Sequence, residues 1–214
     1  MAFDFRKECK AFYLPPQKPE IISIPRMRFA AVRGRGDPNR EDGEYKQALA
    51  VLYAVCYTIK MSKMGDHRME GYFDFVVPPL EGLWWQADTA GVDYSRKDDF
   101  EWISMIRLPD FVTEAEYQWA KEEAANRKKL DCGRAELFFL EEGTCVQMLH
   151  VGSYDEEPAS IRRMDEFAAA QGYRLDFSDT RRHHEIYLSD PRKTAPDKLR
   201  TVIRHPIAQR RKEA

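Results

Sequence analysis

His183-His184-Glu185-Ile186-Tyr187-Leu188, followed at once by Ser189-Asp190-Pro191, reads as a short strand stopped by a turn. Side chains alternate across a strand. His183, Glu185 and Tyr187 therefore share one face, and His184, Ile186 and Leu188 share the other. A carboxylate beside a phenol means little on a wetted face. In an aromatic-walled cavity the same pair is a charge held where charge is costly.

Working outward, residues 144–151 form a strand and 152–158 a turn. A helix over 158–171 buries Ile161, Met164, Phe167 and Ala168, with Gly172 as its C-cap, and a last strand covers about 199–205. Together with 183–188 the order is strand, helix, strand, strand. The first half reads similarly. A strand covers 20–33, with Pro25 marking a bulge or edge, and residues 34–39 make a turn. The helix over 44–63 carries an apolar stripe of Leu49, Leu52, Tyr53, Cys56 and Ile59. Strands follow at 72–77, 80–85 and 100–108. Between the halves lie a helix over 114–129, opened by a Thr113/Glu116 capping box, and a strand over 135–140. That strand is expected to form a hairpin with 144–151 around Glu141-Glu142-Gly143. The fold class is α+β: two pseudo-symmetric βαββ modules with antiparallel sheets, plus an inserted helix and strand. The expected bounds are an N-terminal arm at 1–19, one domain at 20–207 (modules at about 20–108 and 141–207, insert at 109–140) and a polar tail at 208–214.

Acidic and basic residues nearly cancel, at net charge −2, so no global field draws in nucleic acid; the basic residues from Arg192 onward read as a solvated edge and tail. Cys9, Cys56, Cys132 and Cys145 form no C-x-x-C pair. There is no signal-peptide pattern and no apolar run of membrane-spanning length, which makes the cytoplasm the default location. His183 and His184 point to opposite faces and cannot reach one ion, so no metal or cofactor is expected. Neither a phosphate-binding loop nor a nucleophile elbow is present. What remains is an aromatic set (Tyr72, Trp84, Trp85, Trp102, Tyr154, Tyr187) with Glu185 on a strand face. The adjacent Trp84 and Trp85 must face opposite ways. Such a set suits a bulky, flat or cationic ligand, and an aromatic-rich core accounts for the same residues.

Four stretches resemble the GyrI-like small-molecule-binding family, which includes the effector-binding domains of multidrug-responsive transcription activators. They are Val77-Pro78-Pro79-Leu80-Glu81-Gly82-Leu83-Trp84-Trp85, Met105-Ile106-Arg107-Leu108-Pro109-Asp110-Phe111, Val146-Gln147-Met148-Leu149-His150-Val151-Gly152-Ser153-Tyr154 and the opening stretch. The resemblance implies paired βαββ modules with a ligand groove between their sheets. It places Glu185 at the bottom of that groove, with Tyr187 beside it as a second catalytic candidate. Trp84, Trp85, Tyr72, Trp102, Met105, Tyr154 and His150 are the candidate ligand-binding residues. The first 19 residues are too few for the DNA-binding helix-turn-helix of the regulator members.

Three functions follow from that likeness. The first is capture of bulky aromatic or cationic compounds, with Glu185 as counter-charge. The second is hydrolytic opening of the cyclopropane in DNA-alkylating natural products. There Glu185 acts as general base, its pKa raised by an apolar pocket, and Tyr187 donates a hydrogen bond to the developing oxyanion. The third is interaction with DNA gyrase, which the family's namesake inhibits.

Overall fold

A computed structural model describes residues 2–210. Two short helices, α1 (Phe5–Glu8) and α2 (Lys10–Tyr13), fold the N-terminal arm onto the body, with Phe5 and Tyr13 buried. The strand expected over 20–33 is two strands, β1 (Glu20–Ile24) and β2 (Met27–Arg35), parted at Pro25-Arg26. Proline has no N–H for a ladder, and the break sends the two strands to different neighbours. β2 also continues through Gly34, expected to be in a turn. Gly34 pairs with Trp102, and a Cβ there would lie 2.3 Å from the indole ring. Glycine is what lets the ring lie across the strand.

α3 (Glu44–Met61) buries Leu52, Val55, Cys56 and Ile59. Residues 72–77 form no strand. Phe75 makes a single bridge to Phe3, and Pro78-Pro79 ends any further ladder. Then come β3 (Leu80–Trp85), β4 (Glu101–Arg107) and α4 (Glu114–Lys128). Thr113 caps α4 by accepting from the Glu116 N–H, but the Glu116 carboxylate goes to His67 instead of completing a capping box. The remaining elements are β5 (Glu136–Leu140), β6 (Gly143–Val151), α5 (Glu157–Ala170), β7 (Tyr173–Leu175), β8 (His183–Tyr187) and β9 (Arg200–Gln209). The short β7 carries no period-2 signal and was not foreseen. β9 takes in the start of the expected tail, and residues 211–214 lie outside the described residues.

The strands form one nine-stranded antiparallel sheet in the order β1-β6-β9-β8-β3-β4-β2-β5, with β7 on the end of β9. The trios β6-β9-β8 and β2-β4-β3 run in matching order from opposite sides, and the two βαββ modules meet where β8 pairs with β3. The expected hairpin does not form. β5 pairs with β2, and β6 pairs with β1 and β9. Each half thus gives its leading strand to the other half's edge. Ile24 and Met27 are three Cα steps apart, at most about 10 Å, although β1 and β2 lie toward opposite ends of the sheet. The sheet therefore curls until its ends meet at that corner.

Inside the curl lie Phe29, Leu83, Ile103 and Met105, together with a buried ionic cluster. His184 Nδ1 is 2.9 Å from Glu142 Oε1 and Nε2 is 3.0 Å from Glu81 Oε2. Arg204 donates to Glu142 Oε2 at 2.8 Å, to Gln147 Oε1, and to the Phe12 carbonyl of the arm. Both ring nitrogens face acceptor-only oxygens, so His184 is an imidazolium. Two cations then balance two carboxylates. Glu142 is turned inward to serve this cluster, which is why 141–143 makes no surface hairpin turn. On the opposite face α3 and α4 pack on the β2/β4 half and α5 on the β6 half, and a cavity opens between them.

Candidate functional site

The cavity has a volume of about 950 Å³, enough for a drug-sized ligand. Its aromatic walls come from both halves: Tyr45 on α3, Trp84 on β3, Phe100 before β4, Tyr154 before α5 and Tyr187 on β8. Trp84 stands at ring-centroid distances of 5.5 Å from both Tyr45 and Phe100, and Tyr154 meets Tyr187 edge-on at 5.9 Å. Glu185 reaches this cavity while only 7% exposed.

Trp84 Nε1–H donates to the Tyr187 hydroxyl at 2.8 Å, and Tyr187 O–H donates to Glu185 Oε2 at 2.7 Å. The Tyr187 proton is therefore committed to the carboxylate. Gly82 pairs with Glu185 across the β3–β8 ladder. A Cβ on Gly82 would lie 2.5 Å from Trp84 Nε1 and 3.1 Å from the Tyr187 oxygen. Gly82→Ala is expected to push the indole off Tyr187, destabilising the fold by about 1–3 kcal/mol and weakening ligand binding. Chemical denaturation and fluorescence titration of the variant check this.

The surroundings of Glu185 Oε1 are the part of the site least legible in local sequence pattern. His183 Nε2 lies 2.8 Å from it. Tyr94, from the loop between β3 and β4, bridges Glu185 Oε1 at 3.2 Å and Glu157 Oε2 at 2.8 Å. Glu157 is the first residue of α5 and fully buried. Burial, and then the charge of Glu185, push its pKa well above the carboxylate range. Its Oε1 has no hydrogen-bond partner among the described residues, which leaves an ionised Glu157 with a buried charge unsatisfied on that oxygen. For Glu185 burial acts upward, but the hydrogen bond and charge of His183, followed by Tyr187, outweigh it and hold the pKa below the usual range. The rise expected at Glu185 thus falls on Glu157 instead, because like charges this close cannot both persist. Glu157, His183 and Glu185 bring one donor atom each within 4.8 Å of one another. The direct 2.8 Å His–Glu contact is a hydrogen bond, which makes the trio a proton-sharing cluster.

Of the residues singled out in the sequence, Trp84, Tyr154, Glu185 and Tyr187 converge at the cavity. The others lie elsewhere. Trp85 is on the opposite face with the Arg182 guanidinium 4.7 Å above its ring, and Met105 packs inside the curl. Trp102 lies beneath Tyr45, edge-on at 5.2 Å. Tyr72 packs on Phe111 and donates to the Lys60 carbonyl. His150 binds Ser160 Oγ at 2.9 Å and the Ser153 carbonyl at 3.0 Å, so it fastens the turn that presents Tyr154. Tyr45, Tyr94 and Glu157 were not singled out. Tyr94 had one signal, an aromatic ring alone in a polar loop; Glu157 looked like any acidic residue at a helix start.

No curated protein matches the chain. A family model described as the GyrI-like small molecule binding domain matches residues 17–208. A structure from Listeria innocua described as a hydrolase is 48% identical, with 96% of this chain and 100% of that one covered and a TM-score of 0.87. A second Listeria innocua structure, described as an uncharacterized conserved protein, is 50% identical over 96% and 100%, at TM-score 0.90. The EcmrR C-terminal domain, 12% identical over 90% and 98%, shares the fold at TM-score 0.53.

Proposed function

The chain belongs to the GyrI-like family of small-molecule-binding domains, and on that premise we propose that it hydrolyses a bulky aromatic electrophile carrying a strained ring. The observation that carries this reading is the Glu185/Glu157 pair, two carboxyl groups with pKa values driven apart, of which Glu185 reaches the aromatic cavity and Glu157 is buried behind it. A pure binding site needs one counter-charge. An acid–base reaction needs one carboxylate to take a proton and a neutral partner to replace it.

Glu185 takes a proton from water as the water oxygen bonds to an electrophilic carbon of the cyclopropane. The ring C–C bond breaks, its electron pair moves into a conjugated carbonyl, and the resulting oxyanion is protonated. Tyr154 lines the cavity and its hydroxyl makes no hydrogen bond among the described residues, so it is free to donate there. Tyr187 and Trp84 orient the base. The 48%-identical Listeria innocua hydrolase supports turnover in this fold. Gyrase interaction has no feature of the site in its favour.

The test is incubation with a cyclopropane-bearing aromatic alkylator in 18O-labelled water, followed by mass spectrometry. A product heavier by one labelled water is expected. Saturable quenching of tryptophan fluorescence with no product would instead leave a binding protein, with Glu185 as counter-charge.

A further inference from the structure

The hydrogen bonds of Glu185 do not end at His183. His183 Nδ1 lies 2.8 Å from His205 Nε2, and His205 Nδ1 lies 3.0 Å from Asp165 Oδ1 on α5. Both imidazoles are buried, whereas the Asp165 side chain is 33% exposed and is not part of the cavity wall. We propose that His183, His205 and Asp165 form a proton relay linking Glu185 to solvent by a route that avoids the ligand cavity. This rests on the reading of Glu185 as the base.

Counting protons supports it. Four groups make three contacts, and each contact needs one proton between its heavy atoms. Two neutral imidazoles bring only two, so the chain holds a third. Two arrangements satisfy every contact with His205 neutral. In the resting one both carboxylates are ionised and His183 is an imidazolium: its Nε2–H donates to Glu185 and its Nδ1–H to His205 Nε2, while His205 Nδ1–H donates to Asp165. In the other Glu185 holds a proton taken from water, the Nδ1 proton of His183 has moved to His205 Nε2, and the Nδ1 proton of His205 has moved to Asp165. One proton has entered the chain at Glu185, and one sits on Asp165, which can release it to solvent. No bond other than O–H and N–H changes, and no co-reactant is needed.

The relay also answers a chemical difficulty. A carboxylate held below its usual pKa range is a weak base, and a bulky ligand blocks its access to bulk water. The groups facing the two rings are Glu157 and Asp165 from α5, Glu185 from β8 and the Phe177 ring, 4.9 Å from that of His205. Burial, partly offset by Asp165, keeps His205 below the usual imidazole range and so neutral, as both arrangements require.

The test uses Asp165→Asn, which still accepts from His205 Nδ1–H but cannot hold a proton. In the ligand-free protein with 15N-labelled histidine, NMR should show altered protonation of His183, a ring Asp165 does not touch. With substrate, kcat should fall several-fold at unchanged KM, and the solvent deuterium isotope effect on kcat should change. His183 signals superimposable on those of the wild type would overturn the coupling. Wild-type kcat and isotope effect would overturn its use in turnover. The base reading fails separately, if Glu185→Gln retains full turnover.

Discussion

Glu185→Gln is expected to lower kcat/KM for a strained aromatic electrophile by about 10²- to 10⁴-fold, the usual contribution of a positioned general base. Glutamine keeps the shape of the side chain and still accepts the Tyr187 hydrogen bond, but it cannot take a proton from water. Fluorescence titration with the intact ligand should therefore still saturate, because the walls of Tyr45, Trp84, Phe100 and Tyr154 are untouched. The pH profile of the wild type gives a second check. The base works when ionised, so activity should fall only as the pH drops through a pKa below the ordinary carboxylate value of 4.5. The neutral acid Glu157 is lost as the pH rises through its raised pKa. The two limbs belong to the coupled pair and not to either residue alone. A Glu185→Gln protein with wild-type kcat/KM would remove this residue from the chemistry.

The largest effect on stability is expected at Arg204. In Arg204→Met the ionic cluster loses a buried cation, and Glu142 keeps only His184 against the second carboxylate, Glu81. Breaking a buried pair by removing one partner costs about 3–5 kcal/mol, because a charge is left without compensation. The urea midpoint should fall by a corresponding amount with the m-value unchanged. Adding Glu142→Leu to Arg204→Met should recover part of the loss, since the stranded charge goes with it.

The cluster also sets a pH window. Burial pushes Glu142 up, but His184 and then Arg204 outweigh it and hold its pKa at about 2. Burial pushes His184 down, but Glu142 and then Glu81 outweigh it and raise its pKa to about 9. A depressed carboxylate stabilises fully above its unfolded value, near 4.5, and loses that contribution as the pH falls toward 2. A raised imidazole stabilises fully below 6.5 and loses that contribution as the pH climbs through 9. The contribution is therefore greatest between about pH 4.5 and 6.5. It weakens on the alkaline side well before lysines titrate.

The sequence was most informative where one period decides the face. Alternation put Glu185 with Tyr187 and His183, and the structure joins all three directly. The same rule separated Trp84 from Trp85. It could not say which of the alternating faces meets the cavity, so Met105 and Trp85 stood beside residues that lie across the sheet from them. Setting His183 aside came from considering the two adjacent histidines only as ligands for one ion. The 183–185 spacing, two residues apart on one strand face, already allowed a hydrogen-bonded pair. Glu157, His205 and Tyr94 reach Glu185 or its relay from separations of 20 to 91 residues in the chain, which no local pattern encodes. Strand pairing failed for a related reason. Residues 135–151 have the local form of a hairpin, and only the free edge of β2 and the inward turn of Glu142 overrule it.

The exchange of leading strands has a consequence for how the chain is made. Glu20 pairs with Gln147, and Met27 with Leu140, so two of the ladders close loops of more than a hundred residues. Loop closure on that scale must precede the contacts that reward it, which slows folding. As the chain leaves the ribosome, β1 has no neighbour until β6 has been synthesised, and the edge of β2 stays open until β5 arrives. An isolated half would carry one orphaned strand and one vacant edge, complementary to those of a second copy. In the present chain the partner that each half needs is always the other end of the same molecule.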